Sequence, residues 1–246
     1  MDDLAWLVPL GLFAGALTTL AGLGGGLVLT IVMAAVWGPA PALATAAPAL
    51  LVGNVHRVSL YRAHFDGRAI APFVVGAVPG ALFGGLLTVS LPEVVLRGLL
   101  LFAVGLAVLR ELRLFPGAKV GQEPKAPPTW LVVGAMFVAG VLTATSGGGG
   151  LLLAPLLLMR GLKNERFVVA ASSVATSIHI ARVIGYGAGG LVNATVLTNA
   201  AIVAGAILVG NVLGRHGRGF MTDARNVQLT YGVLAASVLL TVLGFR

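Results

Sequence analysis

The 246-residue chain is 58% hydrophobic and 10% charged, with a mean hydropathy of +1.00. A soluble domain carries about 25% charged residues, so this is the composition of an integral membrane protein. The net charge of +8 reads as basic cytoplasmic loops rather than a nucleic-acid surface, and the absence of cysteine excludes disulfides, thiol nucleophiles and thiolate metal sites.

Met1-Asp2-Asp3 lacks the basic leader of a secretory signal peptide, so the first apolar segment is expected to stay in the mature protein. Trp6 to Leu20 and Gly26 to Val36 are apolar pieces on either side of Ala21-Gly22-Leu23-Gly24-Gly25-Gly26. The second piece is too short to span ~30 Å of hydrocarbon at about 1.5 Å per residue. The pair reads either as a helical hairpin dipping into the bilayer or as one long broken helix. Spanning helices are expected at about Leu43 to Ala63, Ile70 to Val89 and Glu93 to Leu109. Arg110 to Thr129 is rich in Pro, Gly and charge and reads as an exposed loop.

The plan then repeats. Trp130 to Thr145 and Gly150 to Met159 flank Ser146-Gly147-Gly148-Gly149-Gly150, and spans are expected at about Phe167 to Tyr186, Ala194 to Leu213 and Val227 to Leu243. Trp6 matches Trp130, and Gly24-Gly25-Gly26 matches Gly148-Gly149-Gly150, at an offset of 124; Gly80-Ala81 matches Gly205-Ala206 at 125. The expected organisation is a first membrane repeat over residues 1–113, a polar cytoplasmic linker over 114–128 and a second membrane repeat over 129–246.

Charge decides the relative orientation of the halves. If each broken stretch enters and leaves on one side, four loops share a face: Arg57 to Arg68, Arg110 to Pro128, Arg160 to Arg166, and Arg215 to Arg225. These hold thirteen of the sixteen Lys and Arg residues. By the positive-inside rule that face is cytoplasmic and both termini lie outside. If each stretch were one span, the loops at Arg160 and Arg215 would move outside and the rule would fail. The expected fold is therefore an all-α polytopic membrane protein of two inverted repeats, each a glycine-broken helical hairpin plus three spanning helices.

Glycine costs roughly 1 kcal/mol relative to alanine inside a helix, so both tracts read as breaks. In lipid, a broken backbone must face protein or a watery cavity. Paired breaks in matching positions of two repeats point to a transporter's midplane site, where half-helix N-termini aim N–H groups at an anion. Buried carboxylates, which cation carriers and proton relays use, are missing: Asp2, Asp3, Asp66, Glu123, Glu165 and Asp223 lie in termini or loops, and Glu93 and Glu111 at helix ends. No catalytic set can be assembled, the four histidines are wrongly spaced for a metal, and the glycine tracts lack the Lys-Ser/Thr of a phosphate loop. Neither a cofactor nor an enzymatic activity is expected.

The candidate anion-binding residues are Thr19, Gly24, Gly25 and Gly26 at the first break, and Thr143, Thr145, Ser146, Gly147, Gly148, Gly149 and Gly150 at the second. Ser172, Ser173 and Thr176 on the following helix are added as hydroxyl donors, against the alternative that they only pack helices in lipid. Arg57, His179 and Arg182 are candidate pathway or gating residues. His179 and Tyr186 share a helical face with Arg182, and both arginines lie near enough to a helix end for snorkelling to compete. His179 has the chemistry of a proton carrier as well as of a structural histidine.

The paired tracts, with Pro155 after the second and Ala171-Ser172-Ser173 beginning the next helix, resemble the twin motifs of the TauE/SafE sulfite exporter family. The likeness extends over length, duplication and polar central loop. Two departures stand out: Ile31 occupies the place matching Pro155, and Ala46-Ala47-Pro48 replaces the Ser-rich pattern. The resemblance implies a multi-pass protein of the bacterial inner membrane that moves sulfite, thiosulfate or organosulfonates, often outward, with protons as the candidate coupling ion. A passive anion pore, or a carrier of another small organic anion, shares the same residue inventory. Oligomeric state is not readable from these features.

Overall fold

The computed structural model describes residues 4–21, 25–111 and 126–217, and no strand occurs among them. Helices α1 (Leu7–Ala21) and α2 (Gly25–Trp37) flank the first glycine tract, followed by α3 (Pro39–Leu60), α4 (Gly67–Ser90) and α5 (Glu93–Glu111). Helices α6 (Thr129–Ser146) and α7 (Gly150–Met159) flank the second tract and lead into α8 (Asn164–Ala188) and α9 (Ala194–Gly217). Among the described residues α4, α6, α8 and α9 are long and apolar enough to cross a membrane, while α1 and α2 are shorter apolar helices. The span expected at Val227 to Leu243, most of the central linker and Gly24 lie outside the described residues.

Both broken stretches are hairpins. The rings of Trp6 and Trp37 are 5.2 Å apart, so α1 starts where α2 ends. At the second stretch Arg160 Nη2 donates to Thr129 Oγ1 at 3.2 Å, so α7 ends where α6 starts. The alternative of one long broken helix is thereby removed.

The two hairpins open at opposite ends of the bundle. Gly38, between α2 and α3, faces Glu93 at the start of α5, and Gly189 after α8 packs on Val89 near the end of α4. These contacts mark the end that holds Trp6 and Trp37. At the other end Asp66, ahead of α4, pairs with Arg166 in the first turn of α8 at 3.6 Å, close along the chain to Arg160. Helix α3 starts at Pro39, four residues before the hydropathy-based start at Leu43, because Gly38 takes a φ of +85° and Pro39 supplies the first helical turn.

Each hairpin's first helix packs along a long helix of the other half: α1 on α9, and α6 on α4. Small residues allow the approach. Gly15 faces the backbone of Ile207, and Gly80 faces the carbonyl of Phe137, leaving no room for a Cβ at either. At the centre α3 and α8 run antiparallel, with Leu43 beside Tyr186 at one end and Tyr61 beside Val168 and Val169 at the other. Their crossing brings residues of both halves into one buried layer.

Asp66 illustrates a surface element with a measurable share in stability. Its carboxylate accepts from the N–H groups of Arg68 (3.1 Å) and Ala69 (3.2 Å) and so caps α4. Asp66→Ala is expected to cost about 1 kcal/mol, chiefly through the cap. The pair with half-exposed Arg166 adds little. Asp66→Asn, which keeps a capping oxygen, should recover most of the loss in thermal melts; equal damage from both variants would assign the effect to the ion pair instead.

Candidate functional site

Helix α6 stops because Gly147 turns left-handed, with φ +73°, and its N–H donates to the carbonyl of Thr143 at 3.0 Å. Gly148 N–H reaches Ser146 Oγ at 3.4 Å. The next amide, Gly149 N–H, is buried at the head of α7 without an acceptor among the described residues. It belongs to the set of first-turn donors that a helix cannot satisfy by itself.

The seat of this amide is built from small groups. A Cβ on Gly149 would overlap Thr143 Oγ1 and the carbonyl of Ala139. The first hairpin is closed in the same way, since a Cβ on Gly25 would overlap Thr18 Oγ1 and the carbonyl of Ala14. In both hairpins the threonine donates to that same carbonyl at 2.6 Å. The second break also touches the first hairpin: a Cβ on Gly147 would lie 3.2 Å from Thr30 Oγ1 of α2, and one on Gly148 2.6 Å from Ala103 Cβ of α5.

Beside the second break lies a buried polar network. Arg182 has no exposed surface. Its Nε donates to the Tyr186 hydroxyl (3.1 Å), Nη1 meets His179 Nδ1 (3.0 Å) and Nη2 donates to the carbonyl of Leu43 on α3 (3.3 Å). Tyr186 in turn donates to the carbonyl of Ala144, near the end of α6, and Thr88 Oγ1 sits 3.2 Å from the same oxygen. A guanidinium only donates, so His179 Nδ1 accepts and the ring carries its proton on Nε2. The network thus places a cation behind the carbonyl end of α6, the negative pole of that helix.

The family model described as "Sulfite exporter TauE/SafE" matches residues 7–242. The chain belongs to this family. No curated protein and no solved structure matches it. As a TauE/SafE protein it is a multi-pass membrane protein of a sulfite-exporter family, which accords with its long apolar helices and with a lipid bilayer and a small anion as its partners.

The TauE/SafE chain gathers some of the sequence-derived candidates and separates others. Thr143, Thr145, Ser146, Gly147, Gly148, Gly149 and Gly150 are contiguous at the second break, with Gly25 and Gly26 in the first turn of α2. Their hydroxyls are occupied: Thr143, Thr145 and Ser146 each donate to the carbonyl four residues earlier, and Thr19 Oγ1 pairs with Asn211 Oδ1 at 3.0 Å. Such back-bonding is the default for Ser and Thr in apolar helices. Ser172 is buried in α8, whereas Ser173 and Thr176 line a separate crevice of about 370 Å³ between α3, α4 and α8. No residue of either break lines that crevice, and its walls are mainly apolar.

Both arginines are inside the bundle rather than at its surface: Arg57 is 5% exposed and Arg182 0%. The side chains that hold them, Asn54 and Tyr186, are absent from the candidate set derived from sequence. A signal was present. Asn54, Arg57 and Tyr61 recur as His179, Arg182 and Tyr186 at an offset of 125, with the same spacing. Among the described residues no group of His, Asp and Glu could hold a metal ion.

Proposed function

We propose that this chain exports sulfite, thiosulfate or an organosulfonate across the bacterial inner membrane by alternating access. The observation that carries the reading is the contact between the two hairpins, in which the second break packs on α2 while the Gly149 amide has no acceptor among the described residues. The halves act as inverted repeats, with residues 1–113 and 129–246 as the two membrane units and 114–128 as the cytoplasmic linker. The end holding Arg160 and Arg166 faces the cytoplasm and both termini face outward, in line with the distribution of cationic loops.

In this account the head of α7, with its counterpart at the head of α2, supplies N–H donors to the oxyanion near the midplane. Thr19, Thr143, Thr145 and Ser146 contribute only after rotating away from their present acceptors. Gly24, Ser172, Ser173, Thr176 and His179 are secondary members of the pathway. Rocking of one hairpin unit against the other exposes the site to alternate sides.

Purified protein reconstituted in liposomes should show sulfite flux that saturates with concentration and is competed by thiosulfate. Flux that rises linearly and carries current freely would replace the carrier by a passive pore. Protons as coupling ion are tested in the same vesicles: an imposed pH gradient should drive sulfite accumulation, and indifference to the gradient removes them.

A further inference from the structure

Arg57 and Arg182 stand 125 residues apart at equivalent places, each with a hydrogen-bonding residue three positions before and a tyrosine four after. Their surroundings differ. Arg182 is engaged at Nε, Nη1 and Nη2 by three protein acceptors. Arg57 donates from Nη2 to Asn54 Oδ1, and its buried Nε has no partner among the described residues. Neither ion pair among the described residues involves Arg57. A guanidinium taken out of water without a counter-ion, and with one donor unmatched, is strongly unfavourable unless a ligand completes it.

The partners offered by the two halves differ. His179 offers Nδ1 to Arg182 on a rigid ring, and Tyr186 swings its hydroxyl onto Nε while holding Ala144. At the first site the shorter Asn54 takes only Nη2. Arg57 is buried on α3, one turn before Tyr61, which packs on Val168 and Val169 of α8. On its outer side Tyr61 carries the guanidinium of exposed Arg215 5.9 Å above its ring. Cations therefore succeed one another in depth, from Arg215 to Arg57, at the end that also holds Arg62 and Arg68.

We infer that Arg57 is the arginine that receives the anion, through its unmatched Nε, while Arg182 is a structural clamp with no ligand role. This rests on the reading of the chain as an anion carrier and deepens it by making the two repeats unequal. The ligand is an oxyanion small enough to enter the α3–α8 crossing, with at least one oxygen free for a charge-assisted hydrogen bond; a planar guanidinium edge favours sulfur oxyanions over halides.

The test is the melting temperature of the full chain in detergent, titrated with sulfite, thiosulfate, methanesulfonate and acetate. Wild type should be stabilised by sulfite. Arg57→Gln should melt near wild type without anion yet require at least about tenfold more sulfite for half-saturation, with Arg57→Lys in between. Should Arg57→Gln fail to fold, Arg57→Lys carries the comparison. Half-saturation within about twofold of wild type in the folded variants would overturn the inference and leave the carrier reading standing. Stabilisation by acetate alone, lost in Arg57→Gln, would uphold the inference and remove the sulfur substrate. Wild type indifferent to all four anions would overturn both.

Discussion

Gly149→Val is expected to abolish sulfite flux and to lower the melting temperature at the same time. The added Cβ falls on Thr143 Oγ1 and on the carbonyl of Ala139, so the hairpin cannot close without moving α7 off α6. Over-packing of this kind costs roughly 1–3 kcal/mol when a core can yield, and here one of the obstacles is backbone. Thr143→Ala removes only the hydroxyl and leaves the carbonyl, so it should not rescue the variant. Valine also adds a β-branched side chain beside the buried Gly149 amide, which has no acceptor among the described residues. Flux at the wild-type rate in Gly149→Val would falsify the assignment of the site to this break.

The second large effect concerns Arg182. Replacing it by leucine leaves the carbonyl of Leu43 and Nδ1 of His179 without a donor, and removes the group that steadies Tyr186 against Ala144. Each buried acceptor left unpaired costs about 1–3 kcal/mol. The sum, about 3–5 kcal/mol, is at the upper end for a single substitution. At this chain length it corresponds to a fall in melting temperature on the order of 10 °C. Arg182→Lys should do almost as badly, because an ammonium on one stem cannot reach a tyrosine, a histidine and a carbonyl on another helix together. A melting temperature within a few degrees of wild type for Arg182→Leu would remove the clamp.

Much of this architecture is legible from the chain alone, for reasons that particular residues make plain. Glycine tracts at Gly24 and Gly148 recur at one offset, and Trp6 and Trp130 recur with them, so the duplication is visible without coordinates. The hairpin geometry is only half visible. The loop charges favour it, but the decisive contacts, Trp6 on Trp37 and Arg160 on Thr129, join residues 31 positions apart in each half. The hydroxyls mislead for a physical reason. A threonine or serine in an apolar helix satisfies itself on the previous turn, so Thr143 and Ser146 look like ligand donors in sequence while their protons are already placed. Ser173 and Thr176 share a helix with Ser172, but they turn toward the crevice near Val55 and Ile70, a direction that depends on how α8 is rotated in the bundle. The role of Arg182 depends on Leu43, 139 residues away, and no local spacing reveals it.

Selenite has the shape and charge of sulfite and a heavier central atom, so its position can be read from anomalous scattering in crystals grown from lipid. With two interrupted hairpins meeting inside the bundle, a selenium peak should lie within hydrogen-bonding reach of the amide at the head of α7, on the side facing Thr30. Peaks confined to exposed cations such as Arg62 and Arg68, with that interior position vacant at saturating selenite, would contradict the account.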